Sequence, residues 1–259
     1  MSKLESALIS LNQISSPSAV SGCSPLALLL VTISYLVAML SVSLQQPQVL
    51  IWFALYPVVQ SEISGLGFAG VFAKSLWVLP LIVLIGIFNP FLDTRIAFAI
   101  GEISISSGWI SFFSIVLRGL MGVQAIIILA RCVGFYEICG SMRKIGVPKI
   151  MVSQMQFTYR YIIVIIEEAI NMDRARKARG FGKKNYPLKL WGVLIGQLLI
   201  RSYERAKRIH MAMLARGFDG VIRQGNTASF TARSFSFLII WLSVFFILRF
   251  FSPGNYFNF

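Results

Sequence analysis

Residues 109–130 read WISFFSIVLRGLMGVQAIIILA. An α-helix needs about 20 mainly apolar residues to cross the hydrocarbon core of a bilayer. The stretch has that length and carries a single charge, Arg118, near its middle. We therefore predict a transmembrane helix here.

The whole chain has the composition of a membrane protein. Its 259 residues are 56% hydrophobic and 13% charged, with a mean hydropathy of +0.74, whereas ordinary soluble domains are less apolar. We expect an all-α, multi-pass fold in a bacterial inner membrane, without room for a large soluble enzyme. Further apolar runs bring the prediction to about five spans, the others being 26–44, 48–59, 72–88 and 235–251. The mixed segment 91–108 is interpreted as an interfacial connection.

Arg118 is the first candidate functional residue. A charged side chain at the bilayer centre costs at least about 2.5 kcal/mol on insertion scales, so an intramembrane arginine is by default a functional hypothesis. The simpler interpretation is that its guanidinium pairs with a polar group or a backbone carbonyl of an adjacent helix. The sequence leaves both interpretations open.

Basic residues are concentrated in one part of the chain. Nineteen of the 24 Lys and Arg residues, but only six of the ten Asp and Glu residues, lie between 131 and 233. Positively charged segments of membrane proteins stay in the cytoplasm. We therefore predict a transmembrane domain of about four spans at 1–134, a cytoplasmic helical domain at 135–233 and a last transmembrane helix at 234–259, with the C-terminus outside.

The basic segment has the punctuation of long helices. Pro148 suits the first turn of a helix that runs from 149 to 179, with Gly180 as its C-terminal cap. A second helix runs from Pro187 to Arg216 and is capped by Gly217. We expect the two helices to lie side by side or crossed.

Two features predict how these helices meet. Gly192 and Gly196 form a small-xxx-small pattern that permits a close crossing. Glu167 and Glu168 have no nucleophile or metal ligand set beside them, and adjacent helical residues point in different directions. We therefore expect them to pair with arginines of the crossing helix, not to work as a catalytic pair.

Both helices end in the same four residues. Ala-Arg-Gly-Phe occurs at 178–181 and again at 215–218. Glycine permits a left-handed cap, alanine lets a partner backbone approach, arginine presents a planar donor fork, and phenylalanine supplies an apolar anchor. One copy is typical of an ordinary helix cap. Two copies, each at the end of a long basic helix, predict partner-binding motifs.

The sequence lacks the residues that metal or nucleotide chemistry requires. It has one histidine, His210, and three cysteines without CxxC spacing, so neither a zinc site nor a disulfide framework is predicted. No phosphate-binding loop sequence occurs. We expect a non-catalytic chain with no catalytic residue, no cofactor and no metal site of its own.

Several motifs together resemble one protein family. In chain order they are Arg118, KIGVP at 144–148, FTYRY at 157–161, Glu167-Glu168 and the two Ala-Arg-Gly strings. This set is similar to the transmembrane (T) component of energy-coupling factor transporters. The flanks of the second Ala-Arg-Gly string, at 202–220, look most like the cobalt-transport (CbiQ) branch and its nickel relatives.

The resemblance implies a transport scaffold. T components join two cytoplasmic ATPase subunits, or an ATPase homodimer, to a membrane-embedded substrate-binding S component. It implies that the ATPase-coupling residues are Ala178, Arg179 and Gly180 at one ATPase, and Ala215, Arg216 and Gly217 at the other.

Two other functions are open. Within the family, the chain could be the shared T component of a vitamin transporter. From another class, it could be a basic, lipid-binding membrane scaffold or a lipid-modifying enzyme, because the cations at 174–184 would each gain about 1 kcal/mol near an anionic bilayer. A nucleic-acid partner is not expected.

Overall fold

The chain folds almost entirely as helices. The computed structural model describes residues 23–43, 47–92, 96–100, 103–180, 188–222 and 231–250. The elements in these ranges are α1 (Pro25–Leu40), α2 (Pro47–Phe53), α3 (Leu55–Ile63), α4 (Phe68–Ser75), α5 (Leu79–Gly86), α6 (Asn89–Leu92), β1 (Ile96–Ile100), β2 (Ile103–Ser106), α7 (Ser107–Val133), α8 (Phe135–Lys144), α9 (Lys149–Arg179), α10 (Leu188–Ala215) and α11 (Ala232–Phe250). The expected all-α class is confirmed, with one small β-hairpin added to it.

The chain divides into two compact units. The membrane unit comprises the described residues within 17–138 and 228–259, and the basic unit comprises those within 139–227. The apolar helices α1 to α7 and α11 belong to the membrane unit, and the long helices α9 and α10 belong to the basic unit.

Among the described residues of the membrane unit, three helical stretches are long and apolar enough to cross a bilayer: Phe68–Gly86, Ser107–Val133 and Ala232–Phe250. A fourth apolar helix, α1, has 16 residues, fewer than the ~20 that a full crossing usually needs. The predicted spans at 72–88, 109–130 and 235–251 are thus confirmed with shifted limits. Together with α1, the described residues thus supply three to four of the about five expected spans.

The predicted span at 48–59 is instead two short helices, α2 and α3, that meet at Ala54. Pro57 accounts for the break, because it lacks the N–H that would bond to the carbonyl of Phe53 four residues earlier. The Tyr35 hydroxyl of α1 donates to that carbonyl instead, over 3.2 Å. The interrupted segment is therefore stabilised by its neighbour.

Helices α4 and α5 join into one stretch through a 3-10 turn at Leu76–Val78. Pro80 lacks the N–H that would bond to the Leu76 carbonyl, so the regular α-helical ladder is interrupted there. Helix α5 lies close to α7, since a Cβ placed on Gly119 would come within 2.8 Å of Ile82. A larger residue at 119 would force the two helices apart.

The segment expected as a connection contains the hairpin. Strands β1 and β2 are antiparallel, with Ile100 opposite Ile103 and Phe98 opposite Ile105. The sequence here is rich in Ile and Ser, and β-branched residues favour extended backbone. Pairing the two strands satisfies their backbone N–H and C=O groups between helices α6 and α7. The sequence predicted only an irregular connection here, so the hairpin was not expected.

Aromatic side chains form the core of the membrane unit. The ring of Tyr56 lies 4.5 Å from that of Tyr35 and 4.9 Å from that of Trp241, measured between centroids. Phe245 packs against Tyr35 at 5.5 Å. Because these residues come from α1, α3 and α11, the cluster holds the last apolar helix against the first.

The basic unit is built on two long helices whose limits follow the sequence. Helix α9 spans 31 residues and ends before Gly180, and α10 spans 28 residues and ends before Arg216. Both predicted helices are confirmed. The predicted close crossing at Gly192 and Gly196 is wrong for the helices that the structure describes, because no atom of another described helix lies within 4 Å of the Cβ position of either glycine.

Charged side chains link the two helices instead. Glu168 of α9 accepts hydrogen bonds from Arg201 at 3.0 Å and from Arg205 at 3.2 Å, both on α10. The predicted pairing of the acidic pair with arginines of the neighbouring helix is thus confirmed for Glu168. The two helices are therefore linked by long charged side chains and not by a close backbone approach at Gly192 and Gly196.

Candidate functional site

The first Ala-Arg-Gly motif lies at the end of α9. Gly180 follows the helix with φ −85° and ψ 1°, and its N–H bonds to the Lys177 carbonyl at 3.2 Å. The expected left-handed cap is therefore wrong at this position, since any residue can adopt this backbone conformation. Phe181 of the four-residue motif lies outside the described residues.

The second motif has the cap that the sequence predicts. Gly217 has φ +75°, and its N–H bonds to the Leu214 carbonyl at 3.0 Å. The N–H of Phe218 bonds to the Met213 carbonyl at 3.0 Å. These two bonds form a Schellman motif, in which a left-handed glycine closes the last helical turn.

The phenylalanine of the second motif anchors its own unit. The Phe218 ring lies 5.8 Å from that of Phe157 on α9 in an edge-on arrangement. Four residues later, the N–H of Ile222 donates to the Ser153 hydroxyl at 3.1 Å. Phe218 is therefore engaged internally, and the expected role as an anchor for a partner does not fit it. Its packing fixes the direction in which the motif leaves α10.

The two motif arginines are presented to solvent. Arg179 and Arg216 are exposed, as are Ala178 and Ala215 before them. Neither guanidinium forms a hydrogen bond, ion pair or ring contact with the residues that the structure describes. Each arginine thus keeps its full set of donors for a carboxylate, a phosphate or a carbonyl group outside the chain.

Other basic residues near the first motif are already paired. Asp173 forms ion pairs with Arg176 and Lys177 in the last turns of α9. The hydrogen bond from Lys177 is the largest reason that the pKa of Asp173 lies below its ordinary value, with the charge of Arg176 contributing as well. The Arg176 guanidinium also lies over the Trp191 ring of α10, 4.7 Å from its centroid. The side chains of Asp173, Arg176 and Lys177 are therefore engaged in ion pairs or a cation–π contact, whereas the Arg179 side chain forms no such interaction with the described residues.

The motifs lie at opposite ends of the helix pair. Where α9 and α10 meet they run in opposite directions, because Arg176 contacts Trp191 whereas the earlier Glu168 contacts the later Arg201. The first motif therefore lies beside the start of α10, and Arg216 follows its end. At a helical rise of roughly 1.5 Å per residue, α10 separates Trp191 from Arg216 by about 37 Å.

Arg118, the intramembrane candidate, is held by backbone carbonyls. Its Nη2 donates to the carbonyl of Val42 at 2.6 Å and to that of Ser43 at 2.9 Å. Both residues follow the end of α1, where carbonyls lack helical donors and a cation complements the helix dipole. The pairing interpretation is confirmed, and a role of Arg118 in transport stays a prediction.

In the part of the chain that the structure describes, no three His, Cys, Asp or Glu side chains come close enough to hold a metal ion. His210 is exposed on α10. All three cysteines are free. The described residues therefore offer no coordination sphere from which metal chemistry could be argued.

Sequence reasoning missed two features of this site. It did not find the Arg176–Trp191 contact or the Phe157–Phe218 contact, each of which joins α9 to a residue far along the chain. The only local signal was an aromatic residue on each partner segment. Aromatic residues in a basic amphipathic helix have many possible partners, so the pairs emerge only from the packed structure.

The chain matches one protein family over most of its length. That family is CbiQ, described as cobalt transport protein, and the match covers residues 18–227. The family match covers more of the chain than any of the matches to individual proteins described next.

Individual proteins are similar over shorter stretches. An uncharacterized protein of Methanocaldococcus jannaschii is 29% identical over 132 residues, 51% of this chain and 49% of that protein. The cobalt transport protein CbiQ of Rhodobacter capsulatus is 29% identical over 92 residues, 35% of this chain and 38% of that protein. The nickel permease LarQ of Lactiplantibacillus plantarum is 24% identical over 86 residues, 33% of this chain and 32% of that protein. The chain spans about half the length or less of the curated relatives that it matches.

Proposed function

The chain belongs to the cobalt transport protein (CbiQ) family, and on that basis we propose that it is the transmembrane coupling subunit of an energy-coupling factor importer. In this role it joins two cytoplasmic ATPase subunits, or an ATPase homodimer, to a membrane-embedded S component that binds the substrate. It is an integral, multi-pass membrane protein and is itself non-catalytic.

The observation that carries the proposal is the pair of unengaged motif arginines. Arg179 and Arg216 are exposed at opposite ends of the α9–α10 pair, where α10 separates Trp191, beside the first motif, from Arg216 by about 37 Å of helical rise. One compact partner binding at a single point would need one of them. Two similar ends, far apart on one rigid element, suit two similar partners.

The same helix pair supplies a route for force. Packed helices move as rigid elements, and displacement at one end of a helix is carried to the other. The ion pairs of Glu168 with Arg201 and Arg205 link α9 to the middle of α10. Movement of the motif on one helix is therefore passed to the other helix. An ATPase can drive this movement only if its contacts with Arg179 or Arg216 differ between nucleotide states.

We propose cobalt or nickel as the transported ion, carried by the S component. One relative is named a cobalt transport protein and another a nickel permease. With one histidine and three cysteines in the chain, we expect no high-affinity Co²⁺ or Ni²⁺ binding by this subunit alone. Calorimetry on the purified chain tests this, and submicromolar binding that survives loss of His210 would contradict it.

Two alternatives are separated from this proposal by the partners of the chain. A shared vitamin-transporter subunit would assemble with several S components that bind organic substrates. A lipid-binding scaffold would assemble with no ATPase. The decisive experiment is co-expression with candidate ATPases and S components, mass determination of the detergent-solubilised complex, and ATP-driven uptake of labelled Co²⁺ or Ni²⁺ after reconstitution. A chain that never retains ATPase subunits would refute the coupling role.

A further inference from the structure

A cleft of about 560 Å³ lies between the end of α9 and the start of α10. Its basic side is lined by Arg176, Arg179 and Arg201. Its apolar side is lined by Met172, Leu190 and neighbouring aliphatic residues of α10. Cations on one side and aliphatic side chains on the other match an amphipathic anion.

The carboxylates around this cleft are already neutralised. Asp173 is paired with Arg176 and Lys177, and Glu168 is paired with Arg201 and Arg205. The Arg201 side chain is still 60% exposed although it is paired with Glu168, and a guanidinium has five N–H donors in all. Together with the unengaged Arg179 it presents an excess of positive charge to the cleft.

The start of α10 also exposes apolar side chains other than those that line the cleft. Ile195 is 64% exposed, Leu199 69% and Ile200 60%, and no residue of α10 is buried in the part of the chain that the structure describes. The stretch 190–200 contains no charged residue, and such an exposed apolar stretch favours an apolar environment. Trp191, 47% exposed, lines a smaller pocket that shares Met172 and Leu194 with the cleft, and tryptophan is enriched at the membrane–water interface.

We propose that this cleft binds one anionic phospholipid. The phosphate accepts hydrogen bonds from the guanidinium group of Arg179, whose planar fork matches phosphate geometry, and Arg201 adds positive charge to the same cleft. The acyl chains pack on the aliphatic side chains that line the cleft, which are Met172, Leu190, Val193 and Leu194. A fully apolar partner would leave the excess positive charge uncompensated, whereas a free phosphate would leave the aliphatic surface in water.

The site does not depend on the coupling role, although the two share Arg179. The lipid is expected to occupy the cleft when the chain has no ATPase bound. An ATPase bound at Arg179 displaces the phosphate, so lipid release accompanies ATPase docking if both proposals hold.

The test is native mass spectrometry of the full chain in detergent, titrated with phosphatidylglycerol, phosphatidylcholine or the soluble headgroup analogue glycerol phosphate. Retained phosphatidylglycerol is expected to exceed phosphatidylcholine, and glycerol phosphate is not expected to compete. Arg179→Gln and Arg201→Gln should each weaken phosphatidylglycerol binding about fivefold, the effect of one cation near an anionic lipid surface.

Arg216→Gln is the matched control, because Arg216 is also an exposed motif arginine but lies at the far end of α10. It should leave lipid binding unchanged, while both motif variants weaken ATPase association under the coupling proposal. Failure of one proposal is thus distinguished from failure of the other.

Four results would overturn the lipid site. They are equal binding of the two lipids, unchanged binding in Arg179→Gln and Arg201→Gln, equal losses in Arg179→Gln and Arg216→Gln, or full competition by glycerol phosphate. The first indicates that the headgroup charge is not recognised, the second that the lipid binds away from these arginines, the third that the attraction is diffuse, and the fourth that the site binds a soluble anion.

Discussion

Reversing the charge of the motif arginines is the sharpest test of the coupling role. Arg179 and Arg216 are exposed, and their side chains form no hydrogen bond, ion pair or ring contact with the residues that the structure describes. Arg179→Glu and Arg216→Glu should therefore change the free energy of unfolding by no more than about 0.5 kcal/mol, as surface substitutions usually do. Any larger loss of ATPase association then reports on the interface.

The size of that loss follows from the donors each guanidinium has free. Charge-assisted hydrogen bonds contribute roughly 1.5 to 3 kcal/mol, which corresponds to roughly 10- to 150-fold weaker association for each variant. The double variant should release the ATPases from the membrane. Arg→Lys should be partly tolerated, because an ammonium keeps the charge but not the planar fork.

The assay is co-purification of ATPase subunits with the tagged chain, followed by ATP-driven uptake in proteoliposomes. Lys207→Glu is the control, because Lys207 is exposed on α10 but lies outside both motifs. It also reverses a charge in a basic helix, so it corrects for the general electrostatic effect. Unchanged uptake in both motif variants, or an equal loss in the Lys207 variant, would reduce the two Ala-Arg-Gly strings to ordinary helix ends.

Four further predictions concern stability and topology. Gly217→Ala should destabilise the chain by about 1 kcal/mol, because the backbone φ of Gly217 is positive. Gly180→Ala should not destabilise it, because the φ of Gly180 is negative; thermal unfolding of both variants tests the contrast. Arg118→Leu should lower thermal stability in detergent by leaving two carbonyls without their donor, and a variant as stable as the parent would show that water replaces it. Because the pKa of folded Asp173 is depressed, its contribution is present above its unfolded pKa of about 3.9 and lost as pH falls below it; in Asp173→Asn that pH-dependent part should vanish from unfolding curves. A reporter fused after Phe259 should be active only outside the cytoplasm, and cytoplasmic activity would contradict either the last span or the placement of the basic segment.

Local patterns were sufficient for the strongest elements. The length of the apolar run predicts the α7 span, because bilayer thickness fixes the number of residues needed. Pro148 and the glycine after residue 179 delimit α9, since proline suits a first turn and glycine follows a last one. These signals depend only on nearby residues, so the tertiary structure leaves the predicted limits of these helices almost unchanged.

Where two elements meet, sequence patterns had several physical solutions. Gly192 and Gly196 permit a close crossing, but the helices meet through Glu168 and the arginines of α10. Arg118 required a partner, and only the fold places the carbonyls after α1 within its reach. A long side chain can reach many groups, so its partner is determined by the packing of distant segments.

The two Ala-Arg-Gly motifs show the same division most directly. Sequence alone identified both helix ends, their shared residues and their unusual repetition. It could not predict that Gly217 is left-handed while Gly180 is not, because identical tripeptides have the same local preferences. In the tertiary structure, Phe218 packs on Phe157 and directs the chain after the second motif back toward α9, and that return requires the left-handed turn.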